Sequence, residues 1–234
     1  VENVRYIDSL KNKHVGSDIW VLGSGASLNY VEPSFFENKI TIGLNHVGVK
    51  YKITYAFLKD MVKNGFSELP NCSNPPFNSD YIVASEWDKG GLGSKLNTDP
   101  NLNPVYAKYM DKFYFFKHIK NGFGNMSVVH KDSNEMFIST STITSAVHLA
   151  GYMGAKNIMI CGHDILAIDG KLFFDEYTNK SSVVWQDFMI NRDIRNDTVK
   201  LRETMTEVYG TNVYTLNPFI GFDVEGHKYE KLGG

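Results

Sequence analysis

Two cysteines in 234 residues, Cys72 and Cys161, are too few to staple a fold, so the chain must hold together by packing. No run approaches the roughly 18 apolar residues of a membrane span. No signal-peptide pattern is visible either, so a soluble, cytoplasmic chain is expected, with peripheral membrane association still compatible. A surplus of one charge is also missing: Lys and Arg total 24 against 26 Asp and Glu, a net of −2. That balance argues against a nucleic acid polymer as partner, while leaving room for a pocket that takes one nucleotide. His-Glu-x-x-His, Cys-x-x-Cys and Gly-x-Ser-x-Gly are all absent, which removes the common zinc and serine-hydrolase signatures. There is no internal repeat and no low-complexity tract. What is present is a globular composition, 42% hydrophobic and 13% aromatic, sufficient for a sizeable core in one domain spanning 1–234.

Short apolar runs alternate with helical patterns. Residues 18–23, 40–43, 54–58, 81–84, 113–116, 157–161 and 212–216 read as strands bounded by Gly, Asn and Pro. Their brevity and continuous apolarity suit a sheet covered on both faces. Ile143, Ala146, Val147 and Ala150 recur at helical spacing and predict a helix over 142–153, opened by Ser141 or Thr142 and closed by Gly154. His148 falls off that stripe and reads as structural. Ile194, Leu201, Met205 and Val208 predict a second helix over 194–209. The resulting α-β-α-β run predicts an α/β, Rossmann-like, mostly parallel sheet with helices on both faces. Segments 70–80 and 90–104 read as loops, and a small loop-rich lid or insertion is expected at about 165–192. The aromatic stretch from Tyr106 to Phe123 reads as core.

The chemistry concentrates at strand ends. Gly23-Ser24-Gly25-Ala26-Ser27-Leu28 follows the first strand. Glycines there permit a tight turn with backbone N–H groups close to an anion, and Ser27 can cap a helix whose N-terminus favours phosphate. The spacing is neither the full dinucleotide fingerprint nor a P-loop, and a plain turn gives the same letters. Asn45 ends the second strand and would face the same crevice; it can contact phosphate, sugar or base, or cap its own turn. Asp60, after the third strand, can bind a metal or a ribose, or cap a helix. Ser141 and Thr142 bring hydroxyls to a helix N-terminus. Gly162-His163-Asp164 ends the strand at 157–161: His163 suits acid–base work or a structural bond, and Asp164 suits ribose or metal.

In that order, the Gly23–Leu28 turn, Asn45 and the stretch from Gly154 to Asp164 resemble the bacterial sialyltransferases of glycosyltransferase family 42. They are also similar to the related domain of archaeal 6-hydroxymethylpterin pyrophosphokinases and flagellin-modification proteins. The resemblance covers most of 18–175 and continues more faintly through 194–209 to Leu216-Asn217-Pro218. It implies a Rossmann-like nucleotide-binding fold with a CMP-sugar as ligand. It also marks departures. Ala26 stands where the pattern has proline and Ser24 where the sialyltransferases carry a nucleotide-contacting asparagine. Leu166 and Leu172 fall at the two tyrosines that assist the phosphate leaving group, and the general-base histidine falls near Asp193.

The resulting expectation is a nucleotide-sugar-dependent glycosyltransferase acting on a glycan acceptor in surface polysaccharide or lipopolysaccharide synthesis. Gly23, Ser24, Gly25, Ser27, Asn45, Ser141 and Thr142 would hold the nucleotide, with His163, Asp164 and Asp193 as catalytic candidates and no cofactor or metal required. Two alternatives are a pyrophosphokinase-like enzyme using ATP and Mg²⁺ on Asp60 and Asp164, and a catalytically inactive nucleotide-binding module.

Overall fold

The structure is a computed structural model. It describes residues 4–59, 78–87, 96–120, 124–164, 167–177 and 188–216, with backbone alone at 96, 104 and 188–193. The apolar runs become eight strands: β1 (Asp18–Leu22), β2 (Ile40–Leu44), β3 (Ile53–Leu58), β4 (Ser79–Ser85), β5 (Phe113–His118), β6 (Glu135–Met136), β7 (Asn157–Cys161) and β8 (Asn212–Thr215). Every pairing is parallel and the sheet order is β6-β5-β4-β3-β2-β1-β7-β8. The chain lays β1 to β6 outward to one side, then returns to place β7 and β8 on the other side of β1. Strand order therefore reverses between β1 and β7, where open parallel sheets leave a crevice at the strands' carboxyl ends.

Alternation along the strands feeds two apolar layers. Ile19, Val21, Ile42, Leu44, Tyr55 and Phe57 pack against α2 (Thr142–Tyr152) and α3 (Phe188–Tyr209). Leu22, Ala56, Leu58, Ile82, Phe113 and Phe115 point the other way, onto short 3-10 turns and α1 (Pro104–Tyr109). Tyr106, Phe113, Phe115 and Phe116 are all buried, so this part of the aromatic stretch is core.

Four differences from the sequence reading have local causes. The turn after β1 leads into a five-residue 3-10 run, Ala26–Tyr30, rather than an α-helix, and Gly25 rather than Ser27 is its cap residue. Helix α2 has no solvent-exposed face, and its polar residues are buried too. Ten of its eleven residues are buried, because Ser145 donates to the Phe137 carbonyl (2.7 Å) and Thr144 to that of Ser141 (2.7 Å). His148 is structural as expected: Nδ1 accepts from the Phe137 amide (3.0 Å), Nε2 meets the Tyr209 hydroxyl (2.9 Å), and burial lowers its pKa to about 3. Third, α1 and the two-residue β6 lie where no apolar period marks them, and the predicted loops shrink accordingly: Ser79 and Asp80 belong to β4, and Pro104 opens α1 with Asn103 capping it. Fourth, α3 begins at Phe188, inside the expected insertion at 165–192. Among the described residues, no helix is long and apolar enough to cross a membrane.

Candidate functional site at the β1–β7 switch point

The carboxyl ends of β1 and β7 are joined by glycines. The Gly23 amide donates to the Cys161 carbonyl (2.7 Å) and the Gly25 amide to that of Gly162 (2.8 Å). A Cβ on Gly25 would fall on Asp164 Oδ2 and lie 2.8 Å from the Gly162 oxygen. Gly162 adopts φ +64°, and a Cβ there would press on Leu28. The glycines thus serve close contact between two strand ends. The Gly23, Gly25 and Ser27 amides all have protein acceptors, the last being Asp164 Oδ2 at 2.6 Å, so these three amides are engaged within the protein.

Asp164 is the electrostatic centre of the site. Burial raises its pKa from 3.8 to about 6, opposed by the Ser27 amide and by the Ser27 hydroxyl, which faces the carboxylate without meeting hydrogen-bond geometry. Its second oxygen, Oδ1, is buried with no hydrogen-bond partner. Such an acceptor suits a hydroxyl brought by a ligand. Beside it, His163 Nε2 lies 3.0 Å from Thr198 Oγ1 on α3, and that hydroxyl donates to the Ile194 carbonyl (2.8 Å). Thr198 must therefore accept, which places the ring proton on Nε2 and leaves Nδ1 as the basic nitrogen. Burial lowers the His163 pKa to about 4, although the residue keeps some exposure at the cavity wall. At neutral pH it is an uncharged ring that can take a proton but has no extra one to give.

Between these strand ends and α2 lies a cavity of about 240 Å³. Its walls are Gly23, Ser24 and Gly25 from the turn after β1, Leu44 and Asn45 from β2, Thr140 to Ile143 at the start of α2, and Gly162 to Asp164 from β7. Leu172, Phe173 and Ile194 close it. Asn45 sits at φ +50°, a left-handed conformation that asparagine tolerates well. Ser141 is the cap residue of α2, yet its side chain makes no capping bond. The residue lines the cavity beside the helix's first amides, where partial positive charge accumulates.

Eight of the predicted site residues thus line one cavity: Gly23, Ser24, Gly25, Asn45, Ser141, Thr142, His163 and Asp164. Ser27 lies beneath it, holding Asp164. Asp193 is on α3, one residue before the lining Ile194, with its side chain outside the described residues, as are Asp60 and Leu166. Among the described residues, no three His, Cys, Asp or Glu side chains converge as a metal site would require. Residues 167–177, read only as loop, supply a wall that the sequence did not signal. Gly25 and Phe173 form an antiparallel bridge, the Phe174 amide donates to Ser24 O (3.2 Å), and Lys50 pairs with Glu176 (3.1 Å). Leu172 is in the cavity wall, at one of the two places where the resemblance implies a tyrosine.

No protein-family model matches the chain, and no curated protein matches it by sequence. Solved structures do match. The sialyltransferase CST-II with a trisaccharide acceptor and CMP is 14% identical, with 93% of this chain and 88% of that one covered, at a TM-score of 0.53. The Campylobacter jejuni enzyme with the substrate analogue CMP-3FNeuAc is 15% identical over 92% and 88%, again at 0.53. The same enzyme with cytidine-5'-monophosphate is 16% identical over 92% and 86%, also at 0.53. The chain therefore shares its fold, across nearly its whole length, with bacterial sialyltransferases.

Proposed function

We propose that this chain is a glycosyltransferase whose donor is a sugar linked to a single nucleotide phosphate, a CMP-sugar, and whose acceptor is a glycan of surface polysaccharide or lipopolysaccharide. The observation that carries this reading is the cavity at the β1–β7 switch point, in a fold shared with enzymes solved with CMP bound. The described lining has no Lys or Arg, and its one carboxylate is Asp164. A diphosphate donor brings two negative charges that proteins usually meet with Arg, Lys or Mg²⁺. One phosphate can be met by neutral donors, here Ser24, Asn45, the hydroxyls of Ser141 and Thr142, and the α2 N-terminus.

In the proposed reaction the bond between sugar carbon and phosphate oxygen breaks as an acceptor hydroxyl oxygen attacks that carbon. The electron pair leaves on the phosphate, where Ser24, Asn45 and α2 stabilise it. The acceptor proton passes to a base. His163 Nδ1 is the available imidazole nitrogen and Asp193 the further candidate, while Asp164 accepts from a ribose hydroxyl through Oδ1. The apolar side formed by Leu172, Phe173 and Ile194 excludes water that would otherwise hydrolyse the donor.

A thermal-shift series with CMP, CDP, UDP, GDP and ATP, each with and without Mg²⁺, tests the reading, because a ligand of the folded state raises Tm by mass action. CMP should shift Tm without metal. A response to ATP only with Mg²⁺ would instead support the pyrophosphokinase-like alternative. Release of CMP from CMP-sialic acid in the presence of a glycan acceptor then separates an enzyme from an inactive binding module.

A further inference from the structure

The apolar stripe of α3 has one polar member. Ile194, Leu201, Met205 and Val208 recur at helical spacing, and Thr198 fills the stripe between the first two. Leu201 and Met205 are buried in the core with α2 and the sheet, which fixes this face of the helix. Thr198 is carried inward with them and is only 1% exposed. A hydroxyl buried there must find partners. It has two: the Ile194 carbonyl oxygen at 2.8 Å and His163 Nε2, beyond the end of β7, at 3.0 Å.

Proton counting decides the direction of both bonds. The threonine hydroxyl has one proton and the carbonyl has none. Burial keeps the imidazole neutral at neutral pH, so it too has one. If the threonine proton went to His163 Nε2, Thr198 Oγ1 and the Ile194 oxygen would face each other as two acceptors 2.8 Å apart with nothing between them. If it goes to Ile194, the ring donates its own proton from Nε2 to Thr198, and both contacts are hydrogen bonds. Only this second arrangement gives each contact a proton. It selects the tautomer whose Nδ1 is a proton acceptor. The carboxylate next in the chain does not hold the ring: Asp164 Oδ2 accepts from the Ser27 amide, and Oδ1 has no hydrogen-bond partner. The ring is oriented instead by a neutral hydroxyl on α3, one helical turn from Ile194, which shares the cavity wall with His163.

We infer that Thr198 is a positioning residue: from behind the cavity wall it pins the His163 ring through Nε2, so that the nitrogen left over is a proton acceptor. What that nitrogen accepts, the proton of the attacking hydroxyl, rests on the transferase reading above. The donor contacts of that reading lie on the turn after β1, on β2 and on α2, whereas the orienting group of the base lies on α3. Turnover and donor affinity should therefore separate.

The test combines heteronuclear NMR of the His163 ring nitrogens at neutral pH with CMP release from CMP-sialic acid in the presence of a glycan acceptor. It compares the wild-type chain with Thr198→Val, which keeps the shape and removes the hydroxyl, and with Thr198→Ser, which keeps the hydroxyl. The wild type should hold one tautomer, with its proton on Nε2; valine should give a mixture of both, and serine should restore the single form. In Thr198→Val kcat should fall about tenfold, the scale of one lost hydrogen bond, and in Thr198→Ser it should stay within about twofold, with CMP affinity within about twofold in both. A proton on Nδ1 in the wild type overturns the inference, as does an unchanged kcat in Thr198→Val. Parallel losses of kcat and CMP affinity mark a purely structural role and overturn it too. A wild-type chain with the proton on Nε2 and no turnover overturns the transferase reading and supports the pinned tautomer. Should Thr198→Val not fold, the wild-type spectrum decides: a proton on Nε2 supports the inference and a proton on Nδ1 overturns it.

Discussion

Replacing Asp164 by Asn should make the protein more stable at neutral pH, although it removes a charged group from the centre of the candidate site. The carboxyl titrates near 3.8 in an unfolded chain and near 6 in the folded protein, because burial disfavours its ionised form. A rise of that size corresponds to about 3 kcal/mol of folded-state cost once the group is ionised. At acidic pH both states hold the proton and the cost is absent. As pH rises from about 4 to about 6 the unfolded state releases its proton first, so stability falls, and above about 6 the loss is constant. Asparagine has nearly the same shape and can still accept from the Ser27 amide, so it escapes this cost. Urea unfolding of both proteins should show a gain of about 1–3 kcal/mol for Asp164→Asn at about pH 7.5 and little difference near pH 4. A variant that is less stable at neutral pH, or one whose advantage does not change with pH, would refute the account. A stable variant that has lost nucleotide binding would fit a charge kept for function against its own folding cost.

The same carboxyl should act oppositely on activity: kcat/KM for donor cleavage should fall as pH drops through about 6, in the range where the fold is gaining stability. His163→Ala should lower turnover by roughly a hundredfold with little change in CMP affinity, whereas an unchanged turnover with about 1–3 kcal/mol of lost stability would mark a structural histidine. Gly25→Ala forces a Cβ onto Asp164 Oδ2 and the Gly162 carbonyl, so it should lose about 1–3 kcal/mol in urea and weaken CMP binding together; wild-type behaviour in both would mean that the strand ends can part easily. His148→Ala should cost about 3 kcal/mol, by leaving the Phe137 amide unpaired beside a void, and should leave CMP affinity unchanged.

The parts of this fold legible in the sequence are those fixed by local chemistry. Seven of the eight strands follow from apolar runs such as 157–161, and the stripe Ile143, Ala146, Val147 and Ala150 locates α2 to within a residue. The convergence of Gly23, Ser24, Asn45, Ser141, Thr142, His163 and Asp164 was legible because parallel strands present their carboxyl ends to one rim. Three features were not legible. The two residues of β6 are too few to show any period. The buried polar side of α2 reads as solvent-facing until the acceptors on Phe137 and Ser141 are known. The wall formed by Leu172 and Phe173 depends on 167–177 docking against the β1 turn through long-range pairs such as Gly25 with Phe173, which no short-range pattern encodes.

The glycine turn shows how similar letters can serve a different arrangement. In a phosphate-binding turn the backbone amides are aimed at the ligand. Here three of them are committed within the protein, to Cys161, Gly162 and Asp164, so the turn's amides are largely spent before any ligand arrives. Under the proposed function, recognition of the phosphate would come from the neighbouring side chains and from α2, whose cap residue leaves its hydroxyl unused for capping. That shift places unusual weight on a few neutral donors, Ser24 and Asn45 above all, in a lining with no Lys or Arg among its described residues. A wall of this kind favours an anion only if its donors cannot turn away, since a rotated hydroxyl or amide presents a lone pair and repels. The left-handed backbone of Asn45 and the bridge from Gly25 to Phe173 fix where the Ser24 and Asn45 side chains leave the chain. Under the proposed function Leu172 adds to this demand, since its side chain offers no hydrogen bond to a phosphate and the neutral donors around the cavity would have to supply them all.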